Sequence, residues 1–323
     1  MLRQSPLKPD PIMNADYLDT LRSMRPLISI AALVCGIVLL SACHAPSRVP
    51  VGKLPDRIPE QVTVVRFPGG DKDIELEGWW WEPKPDDKIT GEALAEFYRR
   101  RDVTVIYCHG ATECQDGLST GLLLDAGYRV LTFDYRGFGN STNIRMTNEG
   151  FSRDAAAALA YVRSRPDVDP QRVAVFGHSM GAAYALAMGA QANDAGQPMQ
   201  AVVAASGFSS WRYAANAIIP VIGYVIAYAD GCDPSDNIRR LGSTPVLITH
   251  FRTDGVMPVS NAKRLFAAAE RAQMPVQLLI GEVGGHEIGY LMDEAFAAQV
   301  VGFIDEHTGV QHPAAVVPDA DGK

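Results

Sequence analysis

Five consecutive residues, Gly177-His178-Ser179-Met180-Gly181, constrain the fold more than any other stretch of the chain. They follow a short apolar run, Arg172-Val173-Ala174-Val175-Phe176, and lead straight into the helix-like Ala182-Ala183-Tyr184-Ala185-Leu186-Ala187-Met188. A strand, a G-x-S-x-G turn and a helix in immediate succession describe a nucleophile elbow. The glycines are needed because side chains on so tight a turn would collide with neighbouring backbone. Ser179 is then presented at the carboxyl edge of a sheet, and the Met180 N–H points at any oxyanion formed by attack. The bland alternative is a glycine-rich strand-to-helix turn with an incidental serine, and the flanking context favours the elbow.

An activated serine needs a base and a group that orients the base. With this elbow the expected chain order is serine, acid, histidine. The buried-strand run Pro245-Val246-Leu247-Ile248-Thr249 precedes a loop that contains Asp254. A further strand, Pro275-Val276-Gln277-Leu278-Leu279-Ile280, precedes Gly284-Gly285-His286. The chain has seven histidines, and position selects His286 as the base. His178 is inside the elbow with its ring directed away from the line of attack. His109 belongs to an upstream loop, His250 ends a strand, and His44, His307 and His312 lie near the termini. Asp254 is the favoured acid, although Asp230, Asp233 and Asp236 in an earlier loop could substitute. Upstream, Val103-Thr104-Val105-Ile106-Tyr107-Cys108 reads as a central strand ending in His109-Gly110-Ala111-Thr112. The Ala111 N–H is the expected second oxyanion donor. Each such donor is worth about 10² to 10³ in rate.

Taken together, Gly78-Trp79-Trp80-Trp81-Glu82-Pro83, Tyr107-Cys108-His109-Gly110, the run Phe133-Asp134-Tyr135-Arg136-Gly137-Phe138-Gly139-Asn140-Ser141, the elbow and Asp254 through Pro258 resemble the α/β-hydrolase superfamily. More narrowly the chain resembles its BEM46-like branch, which includes ABHD13- and ABHD17-type serine hydrolases. The run from Phe133 to Ser141 is the most specific of these stretches, and the resemblance covers roughly residues 62 to 306. It implies a Ser179–Asp254–His286 triad with no metal and no cofactor. Two departures stand out. The family's His-Gly-Asn-Ala is here His109-Gly110-Ala111-Thr112 followed by Glu113, an acid that would oppose an oxyanion unless it turns to solvent. The family's His-Gly before the acid loop is here His250-Phe251, where a phenylalanine could crowd the loop or wall a substrate pocket.

The amino end carries Arg22 and Arg25 before an apolar run from Leu27 to Leu40, too short to span a bilayer comfortably, for which about 20 residues are needed. Leu40-Ser41-Ala42-Cys43 resembles a bacterial lipobox, with Cys43 as the lipidation site of a palmitate-type acyl anchor; an ordinary signal peptide and an uncleaved anchor are the alternatives. His44 rather than Asp after the cysteine resembles lipoproteins without an inner-membrane retention signal. Residues 1–42 form the expected signal peptide. Asp10, Asp16 and Asp19 suit such a leader poorly, and Met24 is a better translation start. Residues 43–60, with Pro46, Pro50, Pro55 and Pro59, form a stiff tether. A single α/β domain spans 61–308, and 309–323 is a tail. Without residues 1–42, basic residues fall from 29 to 25 and acidic ones from 37 to 34, a net charge of −9. That balance argues against nucleic acid and against an electrostatic hold on anionic lipid. The partners expected are a membrane, reached through the lipid anchor on the periplasmic or extracellular face of a bacterial envelope, and a small or lipid-like acyl ester substrate. Cys114 and Cys232 both lie in loops on the same side as Ser179 and could form a disulfide in an exported protein, while Cys108 is buried in a strand.

Strand-like runs near 62–67, 74–81, 103–108, 129–133, 172–176, 201–205, 245–249 and 276–280 alternate with helical stretches such as 152–164 and 261–272. This alternation predicts an eight-stranded, mostly parallel sheet with helices on both faces. Residues 208–241 are the largest insertion at the carboxyl edge. Their apolar stretch from Ala214 to Ala229, broken at Pro220 and Gly223, reads either as core packing or as a short cap over an acyl pocket. The expected function is a serine hydrolase of carboxylic esters or thioesters. A peptidase of the same fold and a non-catalytic envelope lipoprotein that uses the fold for binding are the alternatives.

Overall fold

Each of the eight strand-like runs named above becomes a strand. The computed structural model describes residues 58–113, 120–219, 233–286 and 293–311. Its strands are β1 (Val62–Pro68), β2 (Glu75–Trp81), β3 (Thr104–Cys108), β4 (Arg129–Phe133), β5 (Val173–His178), β6 (Ala201–Ala205), β7 (Val246–Phe251) and β8 (Val276–Gly281). They form one sheet in the order β1-β2-β4-β3-β5-β6-β7-β8. β1 and β2 run antiparallel to their neighbours, and every pairing from β4 to β8 is parallel.

Parallel strands are covered on both faces, which is why they read as unbroken apolar runs rather than as alternating ones. Successive residues feed two separate cores. Ile106, Cys108, Val173, Val175, Val202 and Ile248 point into one. Val105, Tyr107, Ala174, Phe176, Val203 and Leu247 point into the other. The helices, in chain order, are α1 (Gly91–Arg100), α2 (Thr120–Ala126), α3 (Asn148–Ser164), α4 (Met180–Asp194), α5 (Trp211–Ile218), α6 (Pro234–Asn237), α7 (Ser260–Arg271) and α8 (Glu294–Thr308). α3, α4 and α7 close the first core, with Phe151, Leu159, Leu186 and Leu265 among the buried side chains. α2 and α8 close the second with Leu123, Phe296, Val300 and Phe303. Each such side chain contributes about 1.5–3 kcal/mol by leaving water.

Differences from the expected bounds have local causes. α3 begins four residues before Ser152, because the Thr147 hydroxyl caps it by accepting from the Gly150 N–H at 3.0 Å. β7 continues past Thr249, because His250 and Phe251 still pair with Ile280 and Gly281. α5 stops at Ile218, two residues short of Pro220, whose ring disfavours helix in the residue before it. The second half of the apolar insertion lies outside the described residues, as do the signal-like run, Cys43, Cys114 and Cys232. The parallel strands end at one edge, so the loops after β3, β5, β7 and β8 gather there. In open α/β sheets this is the edge at which ligands bind.

Candidate active site

Ser179 sits between β5 and α4 with φ 54° and ψ −115°, backbone space that a serine rarely occupies. Such strain costs on the order of 1–3 kcal/mol and persists only where the surroundings over-determine it. Here the Ser179 N–H donates to the Ala205 carbonyl at 2.8 Å, and α4 follows at once, almost wholly buried. A Cβ on Gly181 would lie 1.9 Å from the Cys108 carbonyl oxygen, and one on Gly177 would lie 2.3 Å from that of Gly181. The elbow therefore demands both glycines.

From the serine, a hydrogen-bonded chain runs to the loops after β8 and β7. The Ser179 Oγ is 2.9 Å from His286 Nε2, and His286 Nδ1 is 2.8 Å from Asp254 Oδ2. Asp254 is in turn fully engaged. Its Oδ1 accepts from the N–H groups of Val256 and Met257, each at 2.8 Å, and its Oδ2 also meets His250 Nε2 at 3.3 Å. Burial alone would raise the Asp254 carboxyl, but hydrogen bonds and charge from His250 and His286 hold it well below the usual carboxylate range. An ionised Asp254 accepts a hydrogen bond from the His286 Nδ1–H, which orients the ring with Nε2 toward the serine hydroxyl. Met180 opens α4, so its N–H has no acceptor within the helix. Ala111 is buried in the turn after β3, where the Glu113 N–H reaches back to the Gly110 carbonyl.

Residues 116–311 match the model of the prolyl oligopeptidase family. The chain belongs to that family. It is 31% identical over 206 residues to the uncharacterized protein YfhR of Escherichia coli O157:H7, a match covering 62% of this chain and 69% of the relative. It is 25% identical over 233 residues to the lysophosphatidylserine lipase ABHD12 of Danio rerio, covering 66% of this chain and 56% of that one. Among solved structures, the esterase Pf2001 of Pyrococcus furiosus superposes with a TM-score of 0.62 at 19% identity, over 80% of this chain and 98% of its own. The shared fold is that of the α/β-hydrolases, as expected from the sequence, and the protein is a hydrolase of that fold.

Around the serine chain, this prolyl oligopeptidase-family hydrolase departs from expectation at two residues. Glu113 does not turn to solvent. It is buried, accepts from the Tyr107 hydroxyl at 2.7 Å and the Gly110 N–H at 3.1 Å, and lies 2.6 Å from His178 Nδ1. Burial pushes its carboxyl up, but the His178 charge and these hydrogen bonds outweigh burial and bring it down to about 2. Its charge is thus partnered, which removes the conflict with an oxyanion. Phe251 takes a place in the second core. It is fully buried against Phe296, ring centroids 4.5 Å apart, and a Cβ on Gly284 would lie 2.4 Å from its ring. Gly284 ahead of His286 is therefore the space that Phe251 occupies.

Three further residues of this hydrolase had no role assigned from sequence. His250 Nε2 faces the Met257 carbonyl at 2.7 Å as well as Asp254, so that nitrogen carries the ring proton. His178 meets Glu113 through Nδ1 at 2.6 Å, and its Nε2 reaches the His286 carbonyl at 2.9 Å. In the stretch from Phe133 to Ser141, Arg136 makes a two-pronged pair with Asp154 at 2.8 and 2.6 Å, and also meets Asp71. That corner packs Tyr135 and Phe138 against the His109 ring at 4.7 and 5.1 Å, and so supports the loop that carries Ala111. Cys108 is buried and free, its thiol pushed by burial up to about 12. On the described side of the insertion, a cavity of about 450 Å³ opens between α5 and α7. Arg239, Lys263, Arg264 and Arg271 line it, and no member of the serine chain does.

Proposed function

We propose that the protein is a serine hydrolase of carboxylic esters or thioesters, acting through Ser179, His286 and Asp254. The observation that carries this reading is the chain of 2.8 and 2.9 Å hydrogen bonds from Asp254 through His286 to a strained serine. His286 Nε2 takes the hydroxyl proton as Ser179 Oγ attacks the carbonyl carbon, and Asp254 stabilises the resulting imidazolium. The N–H groups of Ala111 and Met180 hold the oxyanion, each lowering the barrier by about 2.7–4 kcal/mol. His286 then returns the proton to the departing alcohol or thiol, and water releases the acyl group by the same steps in reverse roles. Peptide hydrolysis is the second reading, favoured by the family description; it asks His286 to protonate an amine, a poorer leaving group.

Placement within the BEM46-like branch, acylation at Cys43 with tethering to the envelope, and a Cys114–Cys232 bridge belong to the same proposal and rest on the sequence. The test is hydrolysis by the full chain in mild detergent of p-nitrophenyl esters from acetate to palmitate, beside peptide p-nitroanilides, with Ser179→Ala as control. Ester turnover that disappears with Ser179 supports the reading, and the best chain length reports the acyl pocket. Faster cleavage of the anilides moves the assignment to peptidase. No turnover and no labelling by a fluorophosphonate leaves a binding lipoprotein.

A further inference from the structure

Beneath the serine chain lies a second buried charged pair that the reaction as written does not use. His178 is 1% exposed and Glu113 is 8% exposed at their side chains. Both nitrogens of the His178 ring face acceptors. Nδ1 is 2.6 Å from Glu113 Oε1, and Nε2 is 2.9 Å from the main-chain oxygen of His286. A carbonyl oxygen can only accept, so Nε2 must carry a proton. The Nδ1 contact then admits two arrangements: a proton on the ring beside a carboxylate, or a neutral ring beside a carboxylic acid. Glu113 Oε2 already receives the Tyr107 hydroxyl and the Gly110 N–H, at 2.7 and 3.1 Å. Three donors converging on one carboxyl group favour its ionised form. The depressed Glu113 carboxyl agrees with that arrangement.

We propose that His178 is a buried imidazolium, paired with Glu113, that positions the base by donating its Nε2–H to the main-chain carbonyl of His286. The inference rests on reading Ser179 and His286 as nucleophile and base. Glu113 belongs to the loop that carries Ala111, His178 adjoins Ser179 in the elbow, and His286 lies in the loop after β8. One ion pair thus ties together the three segments whose relative placement sets the reaction geometry. His178 touches neither the serine hydroxyl nor a substrate atom by this account. It is a positioning residue, and its loss is felt in kcat rather than in KM.

The experiment joins a spectrum of the unaltered protein to a kinetic split. In the full chain with ¹⁵N-labelled histidine, the His178 ring is expected to show both nitrogens protonated at pH 7. A neutral ring with one N–H overturns the proposal, whatever the enzyme's activity, so this arm stays separate from failure of the hydrolase reading. On the best p-nitrophenyl ester, His178→Phe is expected to lower kcat by roughly 10- to 100-fold, the scale of a misplaced catalytic group, with KM changed less than about threefold. Glu113→Gln keeps the hydrogen bonds, since its amide N–H can donate to a neutral His178 ring. It should lose less than His178→Phe while one ring N–H disappears from the spectrum. Unchanged kcat in His178→Phe, or a loss carried by KM alone, overturns the positioning role. If His178→Phe does not fold, the spectrum and Glu113→Gln decide the matter.

Discussion

Two histidine–carboxylate pairs stand side by side in this molecule, their rings 5.1 Å apart, and they differ in what the far ring nitrogen meets. In the His286–Asp254 pair, Nε2 meets the Ser179 hydroxyl at 2.9 Å, a group that can surrender a proton. In the His178–Glu113 pair, Nε2 meets a main-chain carbonyl at the same 2.9 Å, a group that cannot. On the proposed reading, the first ring can take a proton from its far partner, and the second ring already holds a proton on each nitrogen. Exposure follows the same division, with the His286 side chain 10% exposed and that of His178 1%. Carboxylate and imidazole alone do not make a proton relay. The partner on the far side decides whether the pair moves a proton or holds a loop.

The sharpest way to break the comparison is to remove charge from each carboxylate in turn. In Asp254→Asn, the amide oxygen can still accept from Val256 and Met257, but the NH₂ then faces His286 Nδ1. The ring must offer Nδ1 as acceptor and put its proton on Nε2, where it can no longer receive one from Ser179. A loss of about 10⁴ in kcat is expected, as for a wrong tautomer in such triads, and Ser179→Ala should lose at least as much. Glu113→Gln should cost no more than about tenfold. Steady-state kinetics of the three variants checks this, and comparable losses in Asp254→Asn and Glu113→Gln would erase the distinction between the pairs.

Acid should expose what the pairs share. Both carboxyls are depressed in the folded chain, Glu113 from 4.5 to about 2. An unfolded chain then binds more protons than the folded one near pH 4, so unfolding gains ground as pH falls. The stabilisation is intact above about 4.5 and is lost as pH drops toward about 2. Urea midpoints at pH 5, 4 and 3 should decline from the first to the last. A flat midpoint from pH 5 to pH 3 would contradict the charged state assigned to both pairs.

What could be read in advance follows from how far each feature's signal extends along the chain. The strands were legible because burial on both faces leaves a local signature, as in Val103 to Cys108. Ser179, Asp254 and His286 were legible because each follows a strand in the order that the elbow implies. Glu113 and His178 were not, because their roles exist only through contacts spanning 65 and 108 residues. A lone acid after an oxyanion turn looks harmful until its partner is seen. The place of Phe251 was hidden for a similar reason, since the space that admits it is the missing side chains of Gly281 and Gly284, and Gly284 reads from sequence as loop flexibility. The run from Phe133 to Ser141 identified the superfamily, yet its residues act by bracing His109 rather than by chemistry.

The smallest expected effect separates His250 from both pairs. It too is a buried histidine beside a carboxylate, with Nε2 shared between the Met257 carbonyl at 2.7 Å and Asp254 at 3.3 Å. Its other nitrogen, Nδ1, has no hydrogen-bond partner among the described residues, so the ring neither completes a relay nor ties two loops through both ends there. Asp254 would keep three donors without it, those from Val256, Met257 and His286. His250→Phe should therefore lower kcat by less than about tenfold and cost about 1–3 kcal/mol of stability, the scale of one buried acceptor left unsatisfied. Kinetics and urea unfolding of this variant give the two numbers independently. A kcat loss approaching that of Asp254→Asn would mean that His250, and not His286 alone, sets the state of the acid, and the site would then have three coupled histidines instead of two pairs and a bystander.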